Sequence, residues 1–137
     1  MKALLLLAET AASHPDGTVS VLRAGITHVW ASPPAQQAQL QGCIVVRIEC
    51  SMGDQGPHQF DLKCLDEDGK LVMPAMQGQF NVPQGGGVTN LLIQFATAFP
   101  RLGRFTFYLR VDNVEKDTWT VTVATPPASP APAGGKA

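Results

Sequence analysis

The dominant rhythm along the chain is an alternation of apolar and polar positions with a period of two. In "CIVVRIEC", Ile44, Val46, Ile48 and Cys50 share one face while Cys43, Val45, Arg47 and Glu49 share the other. "HQFDLKCL" sets Phe60, Leu62 and Cys64 against Gln59, Asp61 and Lys63. "RFTFYLRV" does the same with Phe105, Phe107, Leu109 and Val111, and "DTWTVTVA" alternates Trp119, Val121 and Val123 with Thr118, Thr120 and Thr122. Successive side chains of an extended strand point to opposite sides, so these stretches read as half-buried antiparallel strands.

Turn-forming residues divide the pattern: Pro15-Asp16-Gly17, Pro33-Pro34, Gly53 to Pro57, Asp68-Gly69, Gly85 to Gly87, Pro100 to Gly103 and Asp112-Asn113. The segments left between them run near Leu4–Glu9, Val19–Trp30, Cys43–Cys50, His58–Leu65, Leu71–Val82, Val88–Ala96, Phe105–Val111 and Thr118–Ala124. About eight short strands at this spacing predict an all-β domain, a single antiparallel β-sandwich of immunoglobulin-like or C2-like type. No helix is compelling; the best candidate, "PAQQAQLQG" from Pro34 to Gly42, has a proline suited to a first helical position and a terminal glycine, but nine residues make only a turn or two, so it reads as a crossing between sheets.

Composition narrows the picture. The 137 residues suit one domain, and with 45% hydrophobic and only 15% charged residues the chain can build a core. A formal net charge of -1 with scattered basic residues offers no footprint for nucleic acid. The opening "MKALLLLAETAASHP" has an apolar run from Ala3 to Ala8 that Glu9 ends, so it reads as a buried first strand rather than a leader. No segment reaches the roughly 18 apolar residues of a membrane span. Cys43, Cys50 and Cys64 are odd in number and lack metal-ligand spacing, which fits reduced thiols in a cytoplasmic protein. A hairpin centred near Asp54 would set Cys64 opposite Ile44, with no disulfide. From residue 125 onward "TPPASPAPAGGKA" has no large apolar side chain, so the β-sandwich domain is placed at 1–124 and a disordered tail at 125–137.

Candidate chemistry is sparse. "CLDEDGKLV", Cys64 to Val72, places three acids and a glycine between apolar residues. With Gly69 at the sixth position of an EF-hand loop, Cys64 falls at the first and Ala75 at the twelfth, so the required carboxylates are missing. Asp-Gly between alternating strands instead predicts a hairpin tip. Loop acids gathered at one end of a sandwich remain the candidates for calcium, namely Asp54, Asp66 and Asp68, with Glu67 or Asp112 beside them. His14, His28 and His58 come from separate segments without ligand spacing, and Met73 and Met76 with Met52 suit packing better than a soft-metal site. Ser13, His14 and Asp16 lie too close in sequence to align as nucleophile, base and orienter. "PQGGGVTN" lacks the lysine and helix of a phosphate loop and reads as an inter-strand loop.

The ordered set "ALLLLAETAASHPDGTVSVLRAG", "VVRIE", "LDEDGKLV" and "FPRLGRFTFYLRVD" resembles a family of small bacterial β-sandwich proteins catalogued as a domain of unknown function. The later half also resembles immunoglobulin-like sandwiches through its Pro-x-x-Gly-x-Phe approach to a strand. The resemblance implies a sandwich in a bacterial, cytoplasmic setting and carries no catalytic residues. The expectation is therefore a non-enzymatic binding or assembly module without cofactor, acting through end loops or a strand edge on a protein partner or as a homo-oligomer, with no nucleic acid or membrane as partner. The thinly charged face of Thr118 to Thr122 is the expected edge, because sandwich edges are normally guarded by charge, proline or bulges. A calcium- or small-ligand-binding domain is the first alternative, an enzyme of unrecognised type the second.

Overall fold

In a computed structural model, which describes residues 1–32 and 36–127, the chain folds as two packed sheets of nine strands in all, antiparallel except for one short parallel pair. The first sheet has the order β2-β1-β4-β7, with β1 at Lys2–Ser13, β2 at Val19–Ala24, β4 at Ala38–Cys50 and β7 at Gly87–Phe99. The second has the order β3-β9-β8-β5-β6, with β3 at His28–Trp30, β5 at Gly56–Leu65, β6 at Met76–Val82, β8 at Gly103–Val111 and β9 at Val114–Ala124. The expected all-β sandwich is thus present, with one strand more than the turn signals marked.

The core lies between the sheets and is filled by the faces the alternation assigned. Leu5, Leu7, Ile44, Val46 and Ile48 of the first sheet meet Leu62, Cys64, Phe105, Phe107, Leu109 and Val121 of the second. Two aromatic pairs carry the contact across the layers: Phe95 on Phe107 at a centroid distance of 5.3 Å, and Phe99 on Phe105 at 4.7 Å. Asp112 and Asn113 close the β8–β9 hairpin with φ of 50° and 66° at the two central positions, a turn whose twist matches its strands.

Four expectations are corrected. The segment Ala38–Gly42, read as part of a crossing between sheets and the best helix candidate, is the start of β4; residues 33–35 lie outside the described part. Alanine and glutamine favour helix in isolation, but Ala38 to Gly42 pair with Phe99 to Phe95 and tertiary pairing overrides propensity. The single segment Val19–Trp30 is divided at Gly25, whose φ is 89°, and its halves join different sheets. The Cys43–Cys50 and His58–Leu65 strands form no hairpin, since β4 and β5 belong to different layers. Leu71 returns from the Asp-Gly turn through a single bridge to Leu65 before Met73 turns into the core, so the Leu71–Val82 segment becomes a strand only at Met76.

The β1–β2 hairpin departs from the flat sandwich. β1 pairs with β4 only from Lys2 to Ala8; beyond Ala8 it pairs only with β2. Ala11, Val19 and Val21 of this arm pack with Leu6, Cys43, Val45 and Leu92 in a second apolar cluster, separate from the main core. The row Leu6–Val45–Leu92 runs straight across β1, β4 and β7, so the arm lies over the outward face of the first sheet. At its tip, Asn90 of β7 donates an Nδ2–H to the carbonyl of Gly17 at 3.1 Å. Its root is the Glu9–Arg23 position, where Arg23 has φ of 51° and an ion pair of 3.1 Å joins the two side chains.

Two substitutions separate these layers energetically. Phe107→Ala, which hollows the main core, is expected to cost about 3–5 kcal/mol in urea unfolding. Val21→Asp is expected to cost less globally while raising amide hydrogen exchange over residues 10–22, because it releases the arm from its own cluster; equal exchange across the whole chain would refute a separate arm.

Candidate functional site

The loop acids come first, because they were the metal candidates. β5 runs from Gly56 to Leu65, so Asp54 lies just before it and Asp66 to Asp68 just after it. The fold therefore puts Asp54 and the Asp66–Asp68 turn at opposite ends of one strand, and the three do not converge. Among the described residues no group of three or more His, Cys, Asp or Glu side chains is arranged to hold a metal ion.

Each set of acids has local work. Asp66 Oδ1 accepts the backbone N–H of Asp68 and of Lys70, both at 2.9 Å, and Gly69 takes φ of 82°. Its other oxygen accepts from Arg101 at 3.1 Å, and Glu67 accepts the N–H of Arg104 at 3.1 Å. The Lys70 N–H and the Arg101 guanidinium hold the Asp66 carboxyl below the usual carboxylate range. The hairpin tip is a clip on the β7–β8 loop. The sequence marked the turn correctly; the clip needed Arg101, 35 positions away, and had no local signal.

At the other end, His58 is held between two elements. Its Nδ1 faces Asp112 Oδ2 and its Nε2 faces the carbonyl of Asp54. Both partners are acceptors, an arrangement that favours the doubly protonated ring, which stacks on Phe80 at 5.4 Å. Asp112, then the Asp54 carbonyl, raises the His58 pKa, and His58 in turn lowers that of Asp112. Asp54 itself accepts from Ser51 N at 2.8 Å and lies 3.4 Å from the Met1 ammonium. This cluster ties the start of β5 to the β8–β9 turn. His14 bonds Ser20 in the arm at 2.7 Å and His28 stacks on Trp30, so the three histidines serve three different elements.

On the outward face of the second sheet lies a concavity of about 350 Å³ lined by Gln59, Asp61, Gln77, Gln79, Arg110 and Asn113, among others. Asp61 is the one buried charged residue among those described, and Arg110 meets it through Nε at 3.1 Å and Nη2 at 2.8 Å. Asp61 and Arg110 offset each other, so the groove offers amides, a paired guanidinium edge and the Asp112 carboxylate at its rim.

β9 is covered at one end only: β3 pairs with it in parallel, His28 with Thr122 through Trp30 with Ala124, so of the Thr-rich stretch Thr122 is paired while Thr118 to Val121 have no strand on that side among the described residues. Among the described residues the free edges belong to β2, β7, β3 and β6, together with the part of β9 that β3 does not reach. β3 has three residues, β2 six and β6 seven with Gly78 in its interior. β7 has thirteen, "GVTNLLIQFATAF", with no charge and no proline. Its ladder to β4 runs unbroken from Gly87–Cys50 to Phe99–Ala38 with no bulge. Sequence reading missed this edge because strand order is not local, although the absence of any guard residue in β7 was there to be seen.

A two-sheet sandwich with one long unguarded edge and loop acids engaged in structural contacts is the class of protein these features define. The chain belongs to the family described as "Family of unknown function (DUF6941)", whose profile matches residues 3–124. A comparison with curated proteins returns no match.

The His58 cluster generates a pH dependence. A histidine whose folded pKa is raised contributes stability that is full below its unfolded value of about 6.5 and is lost as pH rises through the folded value. Asp112, lowered in the fold, contributes above its unfolded value of about 3.9 and loses this as pH falls through its folded value. Chemical denaturation should therefore show stability declining from mildly acidic to alkaline pH, and His58→Gln should remove that decline. An unchanged slope in the variant would show that the ring does not titrate against Asp112.

Proposed function

We propose that this protein is a non-enzymatic binding and assembly module that takes up a strand from another polypeptide, a protein partner or a second copy, along the free edge of β7. One observation carries the reading: thirteen consecutive residues of edge strand without charge, proline or bulge. An edge presents a row of backbone donors and acceptors ready to pair, and proteins that do not use such an edge break or charge it. Strand addition gives affinity through main-chain bonds and needs no catalytic group.

The chemistry elsewhere supports a scaffold rather than a catalyst. Burial pushes the Cys64 thiol up to about 12, which leaves no thiolate at neutral pH. Both nitrogens of His58 are occupied, so it offers no free base. The three cysteines are unbridged, which supports a reducing, cytoplasmic setting. Among the described residues no helix is long and apolar enough to cross a membrane.

A second reading, a domain that binds a small polar ligand, is supported by the groove over Asp61 and Arg110. It predicts a ligand-dependent rise in melting temperature for a polyol or amide probe that Arg110→Gln abolishes.

The edge reading is tested by placing charges where β7 has none. Gln94 and Ala96 are exposed on β7, so Gln94→Lys with Ala96→Lys adds guards without touching the core. Affinity capture with the natural chain is expected to retain a second polypeptide at constant stoichiometry, and the lysine variant to lose it at least tenfold with an unchanged unfolding transition. Equal retention by both chains would overturn the proposal.

A further inference from the structure

We infer that the occupant of the β7 edge is β7 of a second copy of this chain, antiparallel about a two-fold axis at Ile93, so that two four-stranded sheets join into one continuous sheet. This rests on the reading of β7 as the docking edge and names its partner.

The strand's own pattern selects the partner and the register. Antiparallel pairing about a two-fold axis sets residues equidistant from the axis opposite each other. About Ile93, the inward positions pair Ile93 with itself, Leu91 with Phe95 and Thr89 with Thr97. The outward positions pair Leu92 with Gln94, Asn90 with Ala96 and Val88 with Ala98. Aliphatic–aromatic and Thr–Thr combinations are favourable cross-strand neighbours. An axis one residue earlier, at Leu92, sets Thr89 against Phe95; one residue later, at Gln94, it sets Leu91 against Thr97. Only the Ile93 axis among the three keeps like opposite like along the inward face.

Two further observations agree. Leu91 and Ile93 pack against the main core yet stay only partly buried, which leaves apolar surface beside the open edge for a second strand to cover. A strand without charge can meet its own copy without like-charge repulsion, whereas an unlike partner would be selected by charges or pockets that β7 does not carry. The arm leaves the in-plane direction open, because it covers Leu92 from the outward face and bonds Asn90 through its side chain rather than its backbone.

The test uses the full chain. Sedimentation over a wide concentration range is expected to give twice the mass of one chain, and Gln94→Lys with Ala96→Lys to return it to one. Under mild oxidation Ile93→Cys should form a 93–93 disulfide between copies, identified by mass spectrometry. Val88→Cys, five residues from the axis, should form no 88–88 bond. The natural chain oxidised in parallel gives the background of Cys43, Cys50 and Cys64. If Ile93→Cys does not fold, Thr89→Cys with Thr97→Cys carries the same register as an 89–97 bond between copies, and a dimer lacking it overturns the axis. A chain that stays monomeric throughout, while another polypeptide is still retained in a lysine-sensitive way, overturns the second copy and leaves the edge standing. A dimer that survives the lysines and cross-links nowhere on β7 overturns both.

Discussion

The constraint on which the structure turns is that β4 is apolar on both faces. From Gly42 to Val46 every residue is buried, although only Ile44 and Val46 look toward the second sheet. Cys43 and Val45 point the other way, where a two-layer sandwich has only water. Leaving them uncovered together with Leu6 and Leu92 would expose a continuous apolar patch in the middle of a sheet. The β1–β2 arm removes that patch, and its geometry follows from the need. β1 must first pair with β4 to place Leu5 and Leu7 inward, then leave it after Ala8 to bend over Val45. Gly42 makes the departure possible: a Cβ there would meet the Ala8 carbonyl at 2.9 Å, so any other residue would push β1 off the sheet where it turns.

Charge is distributed by the same economy. With eleven acids and ten bases in the chain, few are available for the surface of the first sheet. Asp54, Asp112, Asp66, Glu67, Arg101 and Asp61 with Arg110 are drawn into loops and the second sheet, where each closes a turn, clips two loops or neutralises a partner. Asp117 of β9 accepts the backbone N–H of Leu5 at 2.8 Å and ties β1 to the second sheet. The consequence falls on β7: the first sheet pairs Arg23 with Glu9 and Arg47 with Glu49 on its other strands, while β7 has only amides, threonines, a glycine and apolar residues.

The legible and illegible parts of this fold divide along sequence separation. Alternation identified the inward faces of β4, β5, β8 and β9 because a strand's faces are a local property. The Asp68-Gly69 and Asp112-Asn113 turns were equally local, since a positive φ selects its residue types in place. The β4–β5 hairpin was misjudged because the run of turn residues from Gly53 to Pro57 links strands equally well within one layer or across two. The strand at Ala38–Gly42 has no local mark, because composition there favours helix and only the distant β7 makes it strand. The arm left a trace that period-two reading discards: "LLLL" in β1 and "CIVV" in β4 are continuous apolar runs, the mark of strands covered on both sides. For the site, the acids were visible but their partners were not. Asp112 reaches His58 across 54 positions, and no spacing rule connects a turn residue to a strand that far away.

The unguarded edge follows from the covered face. Because the arm needs Leu92 apolar and the core needs Leu91, Ile93, Phe95 and Phe99, these five of the thirteen residues of β7 are committed to packing on one side or the other. A lysine at any of those positions would damage a cluster, so the usual means of guarding an edge is confined to the few exposed sites such as Gln94, Ala96 and Ala98. Those sites are free to carry charge and carry none. A strand forced to be apolar by its neighbours could still have been protected there at no cost to the fold. Its remaining neutral at the positions where neutrality is not required is the feature on which the proposed use of this edge rests.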